Sequence, residues 1–244
     1  VIIPEGVTTI EAYAFAGLTG LKSVTLPTTL RRVGVGAFYG CTNLKTVNGI
    51  EYVQFISERG FYNCDLSNVA PAQMKDLVAI GNYAFENCKF GSLELSEKTQ
   101  SIGIGAFYNN QQLQSLTFDA SKVKIGARAF ANCTSLASIE INAAVISARA
   151  FQGCKALSSV QLGRDVAVIG EYAFAGTNVS YFNVDYRNRA LAVNDPTGTL
   201  DQGQGALLYK ITGETERELI LCAPEYAGTN KEINLDTLDE ADEM

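Results

Sequence analysis

The sequence predicts an α/β repeat fold, a solenoid of stacked coils with a parallel sheet on one face and short helical turns or loops on the other. Three observations carry that expectation. An aromatic recurs at Phe15, Phe38, Phe61, Phe85, Phe107, Phe130, Phe151 and Phe174, at spacings of 23, 23, 24, 22, 23, 21 and 23 residues. A β-branched aliphatic stands five residues before each: Ile10, Val33, Ile56, Ile80, Ile102, Ile125, Ile146 and Ile169. Eight or nine residues after each aromatic comes a short run such as "SVTLP", "SLELS", "SIEIN" or "SVQLG". Self-similarity at a period of about 20 to 29 residues marks a one-dimensional stack, in which each unit buries its apolar edge against its neighbours.

Within one unit, the residue before the aromatic is Ala14, Ala37, Ala84, Ala106, Ala129, Ala150 or Ala173, with Gly60 as the single substitute, so this position has no room for a larger side chain. Three residues after the aromatic come Cys41, Cys64, Cys88, Cys133 and Cys154, replaced by Leu18, Asn110 and Thr177 in the other units. The runs that follow alternate apolar and polar residues, the pattern of a half-buried strand. Their inward residues are Val24 and Leu26, Val47, Val69, Leu93 and Leu95, Leu116 and Phe118, Ile139 and Ile141, Val160 and Leu162, and Phe182 and Val184. These strands are expected to form one parallel sheet along the solenoid, each coil adding about 4.8 Å. The "IGxxAFxxC" stretch is too short for more than about one or two helical turns.

Units such as "IPEGVTTIEAYAFAGLTGLKSVTLP", "VAIGNYAFENC" and "IGARAFANCTSLASIEI" resemble the BspA-type leucine-rich repeat. The resemblance covers residues 1–184 as eight units, the first incomplete. It implies a right-handed leucine-rich-repeat solenoid. That family is found mostly in surface proteins of anaerobic bacteria and some protozoa. The resemblance therefore implies an extracellular or bacterial cell-surface location, with signal and membrane anchor outside this chain; separately, the opening "VIIPEGV" reads as the end of a strand and its turn, so the chain is expected to start mid-repeat, with its apolar first coil covered in the full protein. It further implies a non-enzymatic binding or adhesion module recognising a host protein, glycan or microbial partner through the solenoid face. The alternative is a structural spacer or scaffold that presents another domain.

Composition excludes several other functions. The chain has no histidine, which removes His-based triads and the usual zinc hydrolase sites. Its formal charge of −7 lacks the basic footprint that nucleic acid requires, and much of the excess follows Lys231, at Glu232, Asp236, Asp239, Glu240, Asp242 and Glu243. No run of 18 apolar residues exists, so no spanning helix is expected. Gly34, Gly36, Gly103 and Gly105 superficially suggest a phosphate loop, but no Lys-Ser/Thr follows. Glu94 and Glu140 lie two repeats apart, about 10 Å at the strand spacing, beyond the usual glycosidase separations. Asp195 and Asp201 in "NDPTGTLDQGQG" lack the order of a calcium loop and read as a flexible loop. Neither cofactor nor metal is expected.

Five of the six cysteines share one repeat position and read as buried free thiols acting as small hydrophobes, although coil spacing alone does not forbid disulfides between neighbours. Cys222 lies outside the repeat and is the candidate reactive thiol.

Two outward rows on the sheet are the candidate binding residues. One carries Ser92, Ser115, Ser138, Ser159 and Tyr181, continuing the series Ser23, Thr46 and Asn68; the other carries Glu94, Thr117, Glu140, Gln161 and Asn183, continuing Thr25, Asn48 and Ala70. Extended solenoid faces serve as recognition surfaces, and short polar side chains also suit closely spaced strands. Tyrosines repeat beside the aromatic, at Tyr39, Tyr62 and Tyr108 after it and Tyr13, Tyr83 and Tyr172 before it, with Tyr39 and Tyr62 placed to stack.

After Val184 the period stops, leaving 185–244 as a hairpin insert followed by the start of a further repeat or an acidic tail. Two apolar runs, Ala206 to Ile211 and Glu218 to Ala223, flank "TGETER" and predict a C-terminal β-hairpin extension.

Overall fold

The computed structural model describes residues 1–194 except 70–73, 75, 96, 119–122, 180 and 186, together with 204–205, 207–211 and 217–222. For these last strands, and for residues 118, 181 and 191–194, the backbone alone is described. Asp195, Asp201 and the acidic residues after Lys231 lie outside the described residues, as does the Cys222 side chain.

The alternating runs form parallel strands in register. Ser92–Leu95, Ser115–Phe118, Ser138–Ile141, Ser159–Leu162 and Tyr181–Val184 pair in chain order, and Gln204–Gly205 closes that sheet antiparallel to the last of them. Ser23–Thr25 and Thr46–Asn48 form a separate parallel pair. Among the described residues the sheet expected to be continuous is therefore in two parts, and Asn68 and Val69 of the third unit belong to no strand. Val69 nevertheless stays buried, as does every other expected inward residue whose side chain is described. Burial of the whole apolar set on one side fixes the register, because a one-residue slip would turn it to solvent.

A second parallel sheet of eight two-residue strands runs along the stack: Thr9–Ile10, Arg32–Val33, Phe55–Ile56, Ala79–Ile80, Ser101–Ile102, Lys124–Ile125, Val145–Ile146 and Val168–Ile169. Its second residue is the recurring β-branched aliphatic, whose shape suits a pleated surface. Among the described residues there is no α-helix, and 3-10 conformation is confined to Ile50–Tyr52 and Met74, so the helical part of the expected α/β class is corrected to β-strands and turns.

Hydrogen bonding explains the correction. Around the recurring aromatic, alternate amides donate to the next coil instead of to their own. In the fifth unit Gly105 N–H donates to Ala127 O (2.9 Å), Phe107 N–H to Ala129 O (2.7 Å) and Asn109 N–H to Ala131 O (2.9 Å). These are the donors that a helix would spend within the segment. The alternation requires two left-handed residues per coil, one two residues before the aromatic and one two after it, and all eight units have both.

The aromatics stack as a column through the core. Neighbouring rings from Phe15 to Phe174 have centroids 4.9–5.5 Å apart and planes within 14° of parallel, so they are offset-stacked at the coil rise. Beside this column the cysteine row serves as a set of donors. The thiols of Cys41, Cys64, Cys88, Cys133 and Cys154 donate to the carbonyls of Phe15, Phe38, Phe61, Phe107 and Phe130 at 3.0–3.4 Å. All five are free and buried. Burial pushes the Cys88 and Cys133 thiols up, which keeps them protonated and able to donate. Asn110 fills the same role, its amide donating to Phe85 O at 2.8 Å.

Beyond the repeats, Leu207–Ile211 pairs antiparallel with Leu191–Asn194 on one side and Arg217–Cys222 on the other, with an irregularity between Leu208 and Tyr209. The intervening residues 212–216 lie outside the described residues.

Candidate binding face

Alternation along each strand turns the two expected rows outward. Ser92, Ser115, Ser138 and Ser159 are Cα partners strand by strand, with Tyr181 next in line, and Glu94, Thr117, Glu140, Gln161 and Asn183 follow the same register. Their inward neighbours Leu116, Ile139 and Val160 are at most 4 % exposed, which locks the strands that carry them.

Part of this face is concave. A groove of about 410 Å³ is lined by Ser115, Thr117, Ser138, Glu140, Ser159, Gln161 and Asn183 over a floor of Leu116, Ile139 and Val160. Seven of the ten candidate residues therefore converge on one cavity. Ser92 and Glu94 extend both rows by one coil without lining it, and Tyr181 adjoins by register, its side chain lying outside the described residues. The lining holds hydroxyls, two amides and one carboxylate, and no cation. Such a surface can donate to and accept from a polar ligand along several coils. Glu94 and Glu140 are two strands apart, about 10 Å, as the period requires.

At one end of the face Asp185 is held near pKa 2 by Arg187, whose backbone N–H and Nε each donate at 2.9 Å while Nη2 donates at 2.6 Å. This places a carboxylate–guanidinium pair two residues from Asn183. Among the described residues, no group of three or more His, Cys, Asp or Glu is arranged to hold a metal ion. No helix among them is long and apolar enough to cross a membrane.

The tyrosine rows form a second surface. Tyr39 and Tyr62 stack with centroids 4.7 Å apart and planes within 5°. Asn132 donates to the Tyr108 hydroxyl at 3.0 Å, and Asn109 to Asn87 at 2.6 Å, so part of this row is a ladder of coil-to-coil bonds. Sequence reading placed these tyrosines but missed the left-handed backbone at Tyr13, Tyr83 and Tyr172. The signal lay in the companion position, Gly17, Gly40, Asn63, Asn87, Asn109, Asn132, Gly153 and Gly176, which holds only the two residue types that best tolerate that conformation.

A family model described as a BspA type leucine rich repeat region matches residues 1–76 and 78–192, in six copies. The chain belongs to the BspA-type leucine-rich repeat family. A solved leucine-rich repeat protein from Bacteroides ovatus is 26% identical, with a TM-score of 0.64, over 74% of this chain and 50% of its own. This BspA-type chain thus spans about half the length of that relative. The leucine-rich repeat protein of T. pallidum is 24% identical over 72% of this chain and 75% of its own, with a TM-score of 0.47. A leucine rich cell surface protein from Faecalibacterium prausnitzii is 23% identical over 72% of this chain and 62% of its own, with a TM-score of 0.40. No curated protein matches.

Proposed function

We propose that this BspA-type solenoid is a non-enzymatic cell-surface binding module that engages a protein or glycan partner through the groove on its longer-stranded sheet. The observation that carries the reading is the convergence of Ser115, Thr117, Ser138, Glu140, Ser159, Gln161 and Asn183 on one cavity of about 410 Å³. Family membership supports the surface location, since BspA-type repeats are found mostly in surface proteins. The groove offers orientation through hydrogen bonds and some apolar floor. It lacks the Trp and Arg anchors that dominate tight interfaces, so a single module binds modestly and gains from multivalent presentation.

The test screens the intact chain against extracellular-matrix proteins and an oligosaccharide array, then compares Glu140→Ala with Glu94→Ala on any ligand found. The two glutamates share a row, but Glu140 alone lines the groove. Loss with Glu140→Ala and retention with Glu94→Ala supports the groove. Equal binding by both variants overturns it, and a screen without any ligand leaves the spacer role as the better reading.

A further inference from the structure

The two left-handed positions in each coil are filled differently, and the difference points to a second surface. Two residues after the aromatic, all eight units use Gly or Asn. Two residues before it, only Gly36 and Gly105 do; the others are Tyr13, Arg59, Tyr83, Arg128, Arg149 and Tyr172, at φ between 53° and 59°. Left-handed backbone is disfavoured for such bulky side chains, and strain held at specific residues is an indication of function. The companion position is an internal control, because relieving residues are used throughout it.

Packing accounts for some of the six. The Tyr13 and Tyr83 rings lie over Gly36 and Gly105, where a Cβ would come within 2.4 and 2.6 Å of them. Arg59 stacks on Tyr83 at 5.3 Å and Arg149 on Tyr172 at 5.2 Å. Arg128 is exposed and, among the described residues, has no ring or carboxylate partner.

The surroundings of Arg128 are cationic and partly apolar. Exposed Lys124 lies four residues earlier in the same coil, and Arg149 stands in the next coil, to which Arg128 N–H is tied through Ala148 O at 3.1 Å. The corresponding segments 101–109, 124–132 and 145–153 contain no acidic residue, and the next one, 168–176, contributes a single exposed carboxylate, Glu171, whose backbone O accepts from Arg149 N–H at 2.9 Å. Ile104, Val168 and Tyr172 on the flanking coils are 44 %, 50 % and 58 % exposed. None of these residues lines the groove.

We propose that this ridge, centred on Lys124, Arg128 and Arg149, docks an acidic polypeptide segment of a partner protein. The three cations meet its carboxylates. The exposed Ile104, Val168 and Tyr172 meet apolar side chains, which a polypeptide has and a sulfated polysaccharide lacks. Tyrosine and arginine are also the residue types that concentrate energy at protein interfaces.

The test measures fluorescence anisotropy of a labelled peptide of alternating glutamate and leucine, and of labelled heparin, against the full chain. The double variant Arg128→Asn with Arg149→Asn suits the left-handed backbone, as Asn63, Asn87, Asn109 and Asn132 do two residues past the aromatic. Loss of binding in it is therefore not loss of fold, which a melting curve verifies. Lys22→Ala with Lys45→Ala removes the same charge elsewhere. The expected result is a peptide affinity about tenfold weaker in the asparagine double variant, unchanged in the lysine double variant, and falling with added salt. No peptide binding, equal weakening in both double variants, or heparin binding tighter than peptide with the same variant sensitivity would each overturn the proposal. So would a gain in affinity on neutralising Asp236, Asp239 and Glu240, which would identify the ridge's occupant as this chain's own acidic segment.

Discussion

Asn110→Cys is expected to stabilise the protein, against the usual outcome of a core substitution. Asn110 is fully buried, and its amide donates to Phe85 O and Phe107 O, both at 2.8 Å. Its Oδ1 has no hydrogen-bond partner among the described residues. A buried acceptor left unpaired costs about 1–3 kcal/mol. A thiol here removes that acceptor and keeps the bond to Phe85 O that the row needs, as Cys88 and Cys133 do one coil to either side. The Phe107 carbonyl loses one donor, about 0.5–1.5 kcal/mol, but retains the Cys133 thiol at 3.4 Å. The balance favours cysteine by about 1 kcal/mol.

For a chain of this length that balance raises the melting temperature by about 2–4 °C. The assay is thermal unfolding followed by circular dichroism under reducing conditions, with Asn110→Ala as the companion variant. Alanine also deletes the unpaired acceptor, but it removes the donor and leaves a cavity, so it should melt below the parent. If the cysteine variant melts as low as the alanine variant, the donor account of this row is wrong.

The other predictions use the same methods. Phe107→Ala opens the ring column between Phe85 and Phe130, at 5.2 and 5.1 Å, and should destabilise by about 3–5 kcal/mol in urea unfolding; a loss below about 1 kcal/mol would refute the column as a core element. Gly36→Ala places a Cβ 2.4 Å from the Tyr13 ring at φ +56°, so it should lower the melting temperature, and Tyr13→Ala in the same chain should restore part of the loss. Arg128→Asn alone should stabilise by about 0.5–1 kcal/mol through relief of left-handed backbone, and a lower melting temperature would argue against strain at that position. Burial would raise the Asp65 carboxyl, but Ser67 N–H at 3.2 Å and Lys89 Nζ at 3.1 Å together hold it below the ordinary aspartate value. Its stabilisation is therefore present above the unfolded-state pKa and is lost as the pH falls through the lowered one, so the deficit of Asp65→Asn should shrink in acid; a deficit that does not change with pH would refute the pairing.

How far the sequence revealed this arrangement depended on whether a position left a chemical signature. Val24, Leu93, Ile139 and Val160 could be assigned inward because strand alternation has period two, and all four are buried. The cysteine row was readable as buried thiols, although its use as donors to phenylalanine carbonyls was not, since that needs the coil-to-coil register. The second sheet escaped because its strands are two residues long, too short to display alternation. The turns escaped because their amides bond to the next coil, a choice that propensity within one segment cannot report. The outward positions whose side chains are described on the paired strands follow the expected register, yet the limits of the groove were not legible, since Glu94 and Glu140 are equivalent in the period and differ only in the cavity they reach.

That equivalence sets where specificity can reside. The inward aliphatics, the ring column, the thiol donors and the left-handed Gly/Asn position are all committed to joining one coil to the next, so changing any of them alters stability before it alters recognition. Two kinds of position escape that commitment. The outward rows on the longer-stranded sheet have inward neighbours that already fix the strand, so Glu140, Gln161 and Asn183 can vary without disturbing the stack. The position two residues before the aromatic needs only a left-handed backbone, which Gly36 and Gly105 supply at least strain and Arg128 supplies against it. A residue held where a smaller one would fit better is the more informative of the two, because folding alone does not favour it. The ridge around Arg128 therefore rests on a stronger physical contrast than the groove, whose short polar side chains suit the strand spacing whether or not anything binds there.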